Sequence, residues 1–269
     1  MVPGAVWHYD HAVEYGERLV NTHSCIISQF DRIIDLSPDE IGLLEALERD
    51  PRSHEEGKVL WEHGAPVREF HTLTRGWACS MCLLPGGERQ VLEVFLPGQI
   101  MGLRELGFPR TQSALVALTE VEVCPFPRQY LVTLFQQSAR LAELLFLLQT
   151  REQSMLTERI ISVGRRPAAE RLAHFVLEIK SRLGTTSLSF EFPLRQDLVG
   201  DALGLSSVHV SRTLSQLRED GLMCVSAGRV EILDMDGLIE FCGFNRAYLE
   251  PLINWPGGDL PPDRQGMTM

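Results

Sequence analysis

The segment 194–218 constrains the fold more than any other part of the chain. It predicts two short amphipathic helices with a sharp corner between them at Gly204-Leu205-Ser206. The apolar positions recur at helical spacing, and they are Leu198, Ala202, Leu203, Val210, Leu214 and Leu217. A glycine permits the tight corner, and the small side chain of Ala202 lets the two helices approach closely. This pattern predicts a helix-turn-helix.

The residues that follow predict a two-stranded ribbon. Two short apolar runs, Met223–Ser226 and Arg229–Leu233, flank a turn at Ala227-Gly228. A ribbon directly after a helix-turn-helix is the wing of a winged helix. Arg229 stands at its tip, where it would reach a DNA phosphate.

The polar face of the second helix suits insertion into the DNA major groove. Small side chains let the helix sit deep, while Arg212 can pair with O6 and N7 of guanine. Val208 would contact a thymine methyl group, and the serines at the helix start would contact phosphate. The predicted DNA-binding residues are Arg195, Ser206, Ser207, Val208, His209, Ser211, Arg212, Ser215 and Arg229. The alternative is an ordinary helical hairpin with a solvated polar face.

The net charge of −11 excludes a protein that coats nucleic acid through bulk positive charge. It leaves room for a local cationic surface, and Lys58 and Lys180 are the only lysines among 25 cations. Six cysteines in 269 residues are too sparse for a disulfide scaffold. The N-terminus lacks a signal-peptide pattern, and no apolar run approaches the roughly 18–20 residues of a membrane span. We therefore expect a cytoplasmic protein without a membrane segment.

The region 52–126 predicts a small antiparallel β domain. Pro85-Gly86-Gly87 separates the runs 77–84 and 89–95, which is typical of a hairpin, and Pro97-Gly98 marks another turn. Val116–Val123 is predicted as one further strand. Strands this short are typical of a barrel or roll, and a sandwich is the alternative.

Around this region the sequence predicts helices. A short helix follows Ser37, and a helix of about 24 residues runs from Ser138 to Ser162. A hinge at 164–167 leads into a helix ending at Leu183, in which His174 is expected to be half-buried. A helix as long as the one from Ser138 to Ser162 either packs on its own domain or forms a homodimer coiled coil. The seam predicted for the coiled coil is Leu141, Leu145, Leu148, Glu152, Met155 and Arg159.

The stretch from Phe192 to Asp234 resembles the Crp/Fnr family of bacterial transcription regulators. The segment 96–102, Leu-Pro-Gly-Gln-Ile-Met-Gly, looks like the turn-and-strand segment of the same family, and the resemblance covers about residues 25–250. It implies an α+β chain with an N-terminal antiparallel, jelly-roll-like β-roll, a long dimerisation helix and a C-terminal winged helix-turn-helix. The domains it implies are an arm (1–24), a sensory β-roll (25–127), a dimerisation helix with hinge (128–164), a winged helix-turn-helix (165–250) and a disordered tail (251–269).

The resemblance also implies a function without catalysis. Members bind palindromic operators on double-stranded DNA as homodimers and contact RNA polymerase. Arg212 falls on the family's base-reading arginine, and Ser211 precedes it as in the Fnr-like branch. Val208 stands where the family commonly has a glutamate, so we expect an operator that differs from the family's usual half-sites.

The predicted sensory domain lacks two of the three contacts that the family makes to a cyclic nucleotide. Leu103 stands at the position of the ribose-binding glutamate, and Gln112 at that of the phosphate-binding arginine, while Ser113 is retained. A cyclic phosphate without a cation partner binds poorly. Arg104 or Arg110 could supply a substitute cation. The effector pocket predicted from this comparison is Leu103, Arg104, Gln112 and Ser113, and its small-molecule or gas effector is expected not to be cyclic AMP.

Cysteines and histidines predict no metal or cofactor site. Cys79 and Cys82 form a CxxC pair, but positions three apart in a strand point to opposite faces. The arm offers only Cys25 where the oxygen-sensing branch of the family has a cysteine cluster. A haem or an iron–sulfur cluster stays an open alternative. The rival class is a cupin-like metal enzyme or binding protein, which needs several histidines on its strands, and the predicted strands carry only His71. A regulator controlled by its abundance alone is a third possibility.

Overall fold

The computed structural model describes residues 24–31 and 34–250. The predicted disordered tail and all of the predicted arm except Ser24 lie outside the described residues. Within these ranges, no helix combines the length and the apolar character needed to cross a membrane.

Eight strands form an N-terminal roll of two four-stranded antiparallel sheets. The first sheet has the order β1 (Arg52–His54), β8 (Val121–Pro127), β3 (Glu69–Arg75) and β6 (Ile100–Met101). The second has the order β2 (Val59–Trp61), β7 (Ala114–Ala117), β4 (Ala78–Leu83) and β5 (Arg89–Phe95). Buried residues from both sheets, among them Leu73, Phe95 and Leu115, pack into one apolar cluster between them. The predicted roll and the β4–β5 hairpin are confirmed.

The prediction of one strand over Val116–Val123 is wrong, because β7 ends at Ala117 and β8 begins only at Val121. The chain turns between them under Trp77, whose carbonyl oxygen accepts from the backbone N–H of Leu118 at 2.8 Å. Leu118 is itself buried, so the apolar pattern runs through the turn without a break. The turn moves the chain from one sheet to the other, which periodicity alone could not reveal.

The helices of the N-terminal half pack on the roll and on one another. They are α1 (Cys25–Asp31), α2 (Pro38–Glu45), α3 (Arg128–Gln137) and α4 (Ala139–Arg165), with short 3₁₀ helices at Ala46–Glu48 and Leu103–Gly107. Ser37 caps α2, and its N–H donates to the Glu40 carboxylate at 2.8 Å in a capping box. Glu40 also accepts from the Ser138 hydroxyl, which caps α4, at 3.1 Å. Burial alone would raise the pKa of Glu40, but these hydrogen bonds outweigh burial and lower the pKa below its ordinary value. The sequence predicted α2 and α4 but not α1 or α3.

The residues of the seam predicted on α4 lie mostly on the side of the helix that faces the rest of the chain. Leu141 and Leu145 are buried in a cluster with α1, α2 and α3, so they contact the chain's own core rather than solvent. Met155 is also buried, Leu148 and Glu152 are half-buried, and Arg159 pairs with Glu178 of the same chain at 3.3 Å. The large apolar side chains that α4 exposes lie on another face, and they are Phe146, Leu156, Ile160, Ile161 and Val163.

The C-terminal unit confirms the predicted winged helix-turn-helix. Its elements are α5 (Ala168–Leu183), β9 (Ser189–Glu191), α6 (Gln196–Leu203), α7 (Ser207–Glu219), β10 (Met223–Ser226), β11 (Arg229–Ile232) and α8 (Met235–Cys242), followed by a 3₁₀ helix at Arg246–Leu249. The wing has a third strand, because β9 pairs with β11. The sequence did not predict α8. The helix α4 continues through Gly164 and ends at Arg165. Pro167 is the residue that precedes the first turn of α5.

The C-terminal unit packs directly on the roll. One apolar cluster contains Val91 and Val94 of β5 together with residues of α5 and α6. Beside it, Arg89 of β5 pairs with two carboxylates of α6, Asp197 at 3.3 Å and Asp201 at 2.7 Å. The first helix of the helix-turn-helix is therefore fixed to the roll by both apolar and ionic contacts.

A buried charged cluster connects α4 to α5. Glu178 is 2 % exposed and lies near the guanidinium groups of Arg159, at 3.3 Å, and Arg182, at 3.8 Å. The Tyr248 hydroxyl donates to the same carboxylate at 3.2 Å. His174 stacks on Tyr248 and is buried rather than half-buried as predicted, because α8 and the 3₁₀ helix after it cover α5. Burial lowers the pKa of His174 to about 4.

Candidate nucleic-acid interface and effector site

Two glycines make the corner between α6 and α7. Gly204 ends α6 with a φ of 65°, a conformation that favours glycine. Gly200 lies inside α6, and a Cβ atom there would collide with the carbonyl oxygen of Leu205. The N–H of Leu205 in turn donates to the Gly200 carbonyl at 3.0 Å. The role of Gly200 was not predicted, although a glycine inside a helix costs about 1 kcal/mol and signals a close approach.

The helix α7 presents the predicted face to solvent. Ser206 caps it by accepting from the backbone N–H of His209 at 3.2 Å. The exposed predicted residues of this segment are Ser206, Ser207, Val208, His209, Ser211 and Arg212, and Ser215 is half-buried. Val210 and Leu217 are buried as expected, and Thr213 takes a buried position that the sequence assigned to Leu214, which is half-buried. The polar face is thus exposed from Ser206 to Arg212 and partly covered at Ser215.

The arginines near this face differ in their pairing. Within residues 24–31 and 34–250, Arg212 forms no ion pair, so its guanidinium is free to meet an external acceptor. Arg195 pairs with Asp197 at 3.2 Å. Burial alone would raise the pKa of Asp197, but Arg195 and Arg89 outweigh burial and lower the pKa below its ordinary value. Arg195 would therefore exchange an internal partner for a DNA phosphate.

The wing ends in a two-residue turn that holds Arg229 at its tip. Ala227 and Gly228 both have positive φ angles, 47° and 72°, as a type I′ hairpin turn requires. Ser226 and Arg229 pair across it. Arg229 is exposed and lies 3.4 Å from the hydroxyl of Ser189 on β9. The wing and α7 therefore each offer one arginine to a partner.

The predicted effector pocket is closed by a carboxylate of the chain itself. Glu105 is 2 % exposed, and it accepts from the backbone N–H of Gln112 at 2.8 Å and from the Ser113 hydroxyl at 3.1 Å. Arg104 donates to the same hydroxyl at 3.1 Å. Leu103 is buried beside them, and the remaining cavity is about 10 Å³, no more than one water molecule needs. The donors that would meet an anionic ligand are already occupied. The role of Glu105 was not predicted.

The second candidate cation, Arg110, does not face this pocket. Its guanidinium donates to the carbonyl oxygen of Gly64 at 2.7 Å. Of the two arginines considered from the sequence, the structure therefore brings only Arg104 to Ser113.

We expect cyclic AMP and cyclic GMP at millimolar concentration to produce no measurable heat of binding. The phosphate would have to displace the Glu105 carboxylate and leave water for a site with one guanidinium already engaged. Isothermal titration calorimetry measures this directly, and binding at micromolar concentration would contradict it. A matched variant with Glu105→Ala and Gln112→Arg removes the competing carboxylate and supplies a cation. It is expected to bind the nucleotide more tightly than the natural sequence.

A larger cavity adjoins the closed pocket on the side of α5. Its volume is about 270 Å³, and β5, α4 and α5 line it. Glu93 and Glu152 contribute carboxylates, while Arg104, Arg159 and Arg182 contribute guanidinium groups. Burial, reinforced by repulsion from Glu152, raises the pKa of Glu93 to about 8. Burial also raises the pKa of Glu152.

The six cysteines are free thiols, and none of them lines either cavity. In the described part of the chain no three histidine, cysteine or acidic side chains are grouped so that they could hold a metal ion. Cys79 is buried and Cys82 is half-buried, and both are free thiols. Burial raises the pKa of Cys79 to about 12.

Comparison with known proteins matches both halves of the chain. Residues 170–241 match the family model of the Crp-like helix-turn-helix domain, and residues 51–138 match that of the cyclic nucleotide-binding domain. An anaerobic regulatory protein of Haemophilus influenzae is 25 % identical over 240 residues, which are 88 % of this chain and 93 % of that protein. The transcriptional activator protein anr of Pseudomonas aeruginosa is 24 % identical over 84 % of this chain and 93 % of its own length.

A solved structure supports the same similarity. FixK2 from Bradyrhizobium japonicum superposes with a TM-score of 0.66 at 26 % identity, covering 71 % of this chain and 96 % of that one.

Proposed function

The chain belongs to the Crp/Fnr family of DNA-binding transcription regulators, and from this premise we propose that it binds a palindromic operator as a homodimer. In this proposal α7 enters the major groove and the wing contacts the phosphate backbone. In the same proposal Arg212 reads a base, and the remaining predicted residues contact DNA beside it: Arg195 at the start of α6, and Ser206, Ser207, Val208, His209, Ser211 and Ser215 on α7 and its cap. The protein acts without catalysis in the cytoplasm and contacts RNA polymerase. Family membership leaves no role for the cupin-like alternative.

The observation that carries the proposal is the state of Arg212. It is exposed on α7 without an ion-pair partner among the described residues, and its neighbours Ser211 and Ser215 have small side chains. A guanidinium that is free of internal partners loses no interaction when it turns to guanine, and small neighbours let the helix backbone approach the base edges.

The exposed apolar face of α4 supports the homodimer. Phe146, Gln153 and Ile160 follow one another at seven-residue steps, and Gln149, Leu156 and Val163 do the same, offset by three. These two series are the a and d positions of a heptad. Phe146 and Ile160 are 69 % and 73 % exposed, which is unusual for side chains of this size on a single chain. We infer that this stripe, rather than the seam predicted from Leu141 to Arg159, forms the dimer contact.

The test of DNA recognition is Arg212→Ala. If Arg212 pairs bidentately with guanine, the variant loses about 1–3 kcal/mol of operator affinity and tolerates other bases at one position per half-site. Operators selected from a random library with the natural protein, followed by mobility shifts on each base substitution, measure both effects. Arg75→Ala, on the roll, is the matched control and leaves the affinity unchanged. An equal loss on operator and random DNA would make Arg212 a phosphate contact.

A further inference from the structure

The cavity of about 270 Å³ between β5, α4 and α5 has a mixed-charge lining with unused hydrogen-bonding groups. The Arg182 side chain is 2 % exposed, yet its Nε and Nη1 atoms have no hydrogen-bond partner. Arg159 leaves Nη1 unpartnered, and Glu93 leaves Oε1 unpartnered. Buried polar atoms of this kind are rare in native proteins unless a ligand or water satisfies them.

The charged side chains of the cavity restrict which ligand can bind to these unpartnered atoms. Arg159 and Arg182 share a single carboxylate, Glu178, so their remaining N–H groups need an acceptor. Glu93 on β5 leaves Oε1 without a donor, and Glu152 on α4 accepts from Gln149 through one oxygen at 2.7 Å, which leaves its other oxygen for a ligand. A purely anionic ligand would meet two carboxyl groups, and a purely cationic ligand would meet three guanidinium groups, including Arg104 from the 3₁₀ helix Leu103–Gly107. Only a ligand that carries both signs finds a partner for each of its groups.

The volume of the cavity and its apolar lining residues narrow the class of ligand further. A cavity of about 150 Å³ binds benzene, which has six non-hydrogen atoms, so a cavity of about 270 Å³ takes a ligand of about ten. Val94, Phe146 and Met155 supply apolar surface next to the charged groups. An α-amino acid with an apolar side chain has this size and this combination of groups.

We propose that this cavity binds an apolar α-amino acid, with its ammonium group toward Glu93 and Glu152 and its carboxylate toward Arg159 and Arg182. Naming this ligand the effector rests on the proposed function, while the binding itself does not. The cavity opens beside Phe146 and Leu156 of the exposed α4 stripe, so a second copy of the chain would cover it. Through Arg182, whose guanidinium also contacts the carbonyl oxygen of Val94 on the roll, the ligand would join α5 to β5.

The protonation state of the site gives a second signature. Burial raises the pKa of Glu93 above its ordinary value. An ammonium group beside Glu93 favours the ionised carboxylate and lowers that pKa again, so ligand binding releases protons to the buffer.

The experiment is calorimetry on the full chain with L-leucine and two analogues that each lack one charge, 3-methylbutylamine and 4-methylpentanoate. We expect L-leucine to bind, and both analogues to bind at least tenfold more weakly. Titrations in phosphate and in Tris, which differ in ionisation enthalpy, report the released proton. If L-leucine fails, L-valine, L-isoleucine, L-methionine and L-phenylalanine are titrated in the same way. The proposal is overturned if none of these amino acids binds. It is also overturned if 3-methylbutylamine or 4-methylpentanoate binds as tightly as the amino acid.

Variants locate the site. Glu93→Gln and Glu152→Gln keep the side-chain volume and are expected to weaken amino-acid binding at least tenfold, and Glu93→Gln abolishes the proton release. Glu120→Gln, an exposed residue of the roll paired with Arg75, is the matched control and leaves binding unchanged. Unchanged binding in both cavity variants, with melting temperatures near that of the natural protein, would place the ligand elsewhere. Because operator binding is measured separately with Arg212→Ala, failure of the ligand proposal and failure of the DNA proposal give different results.

Discussion

Ile160→Asp is expected to convert the protein from a dimer to a folded monomer. Ile160 is 73 % exposed on the single chain, so the variant leaves the core untouched. In a paired α4 it would place two unpaired carboxylates, one from each copy, in an apolar contact. That costs about 3 kcal/mol or more, which weakens dimerisation at least a hundredfold. Affinity for a two-half-site operator falls with it, because each monomer holds only one half-site.

Light scattering coupled to gel filtration measures the mass, and circular dichroism shows that the variant remains folded. Leu83→Asp, at the equally exposed end of the β4–β5 hairpin, is the matched control and stays dimeric. Leu145→Asp, in the seam predicted from sequence, is expected to unfold the chain instead, because Leu145 is 4 % exposed within its own core. A dimer that survives Ile160→Asp would show that the two copies meet through another surface.

Glu178→Ala is expected to lower the free energy of unfolding by about 3–5 kcal/mol, since it leaves two buried guanidinium groups without their carboxylate. Arg159 and Arg182 are 12 % and 2 % exposed and both lie within 4 Å of Glu178, so both lose a close carboxylate at a buried position. Tyr248 loses its acceptor at the same time. Urea denaturation followed by circular dichroism gives the change in free energy.

Two further variants separate charge loss from a general effect of substitution. Glu56→Ala, at an exposed turn, is expected to change the stability by no more than about 0.5 kcal/mol. A triple variant with Glu178→Leu, Arg159→Met and Arg182→Met removes the buried charges together and is expected to be more stable than Glu178→Ala alone. If the triple variant were the less stable of the two, packing around Glu178, and not its charge, would account for the loss.

Local patterns determined the DNA-binding unit. The helix-turn-helix and its wing depend on contacts between residues close in sequence: the apolar spacing in α6 and α7, the corner at Gly204 and the turn at Ala227-Gly228. The capped start of α2 at Ser37 and of α4 at Ser138 was equally visible, because a cap involves only the next few residues. For the same reason the helical spacing of the sequence was enough to assign the polar face of α7.

Packing between residues far apart in the chain decided which face of α4 is exposed and which role Glu105 has. The helix α4 was predicted, but the sequence contains two apolar faces on it, and periodicity does not say which face the rest of the chain covers. Only the docking of α1, α2 and α3 showed that Leu141 and Leu145 face inward and that Phe146 and Ile160 face out. Glu105 likewise gained its role only when folding brought Gln112 and Ser113 to its carboxylate. The sequence by itself determined the polar face of α7 that we propose reads DNA, because neighbouring residues build it. The tertiary structure decided the exposed face of α4 and the cavity between β5, α4 and α5, because residues far apart in the chain form them.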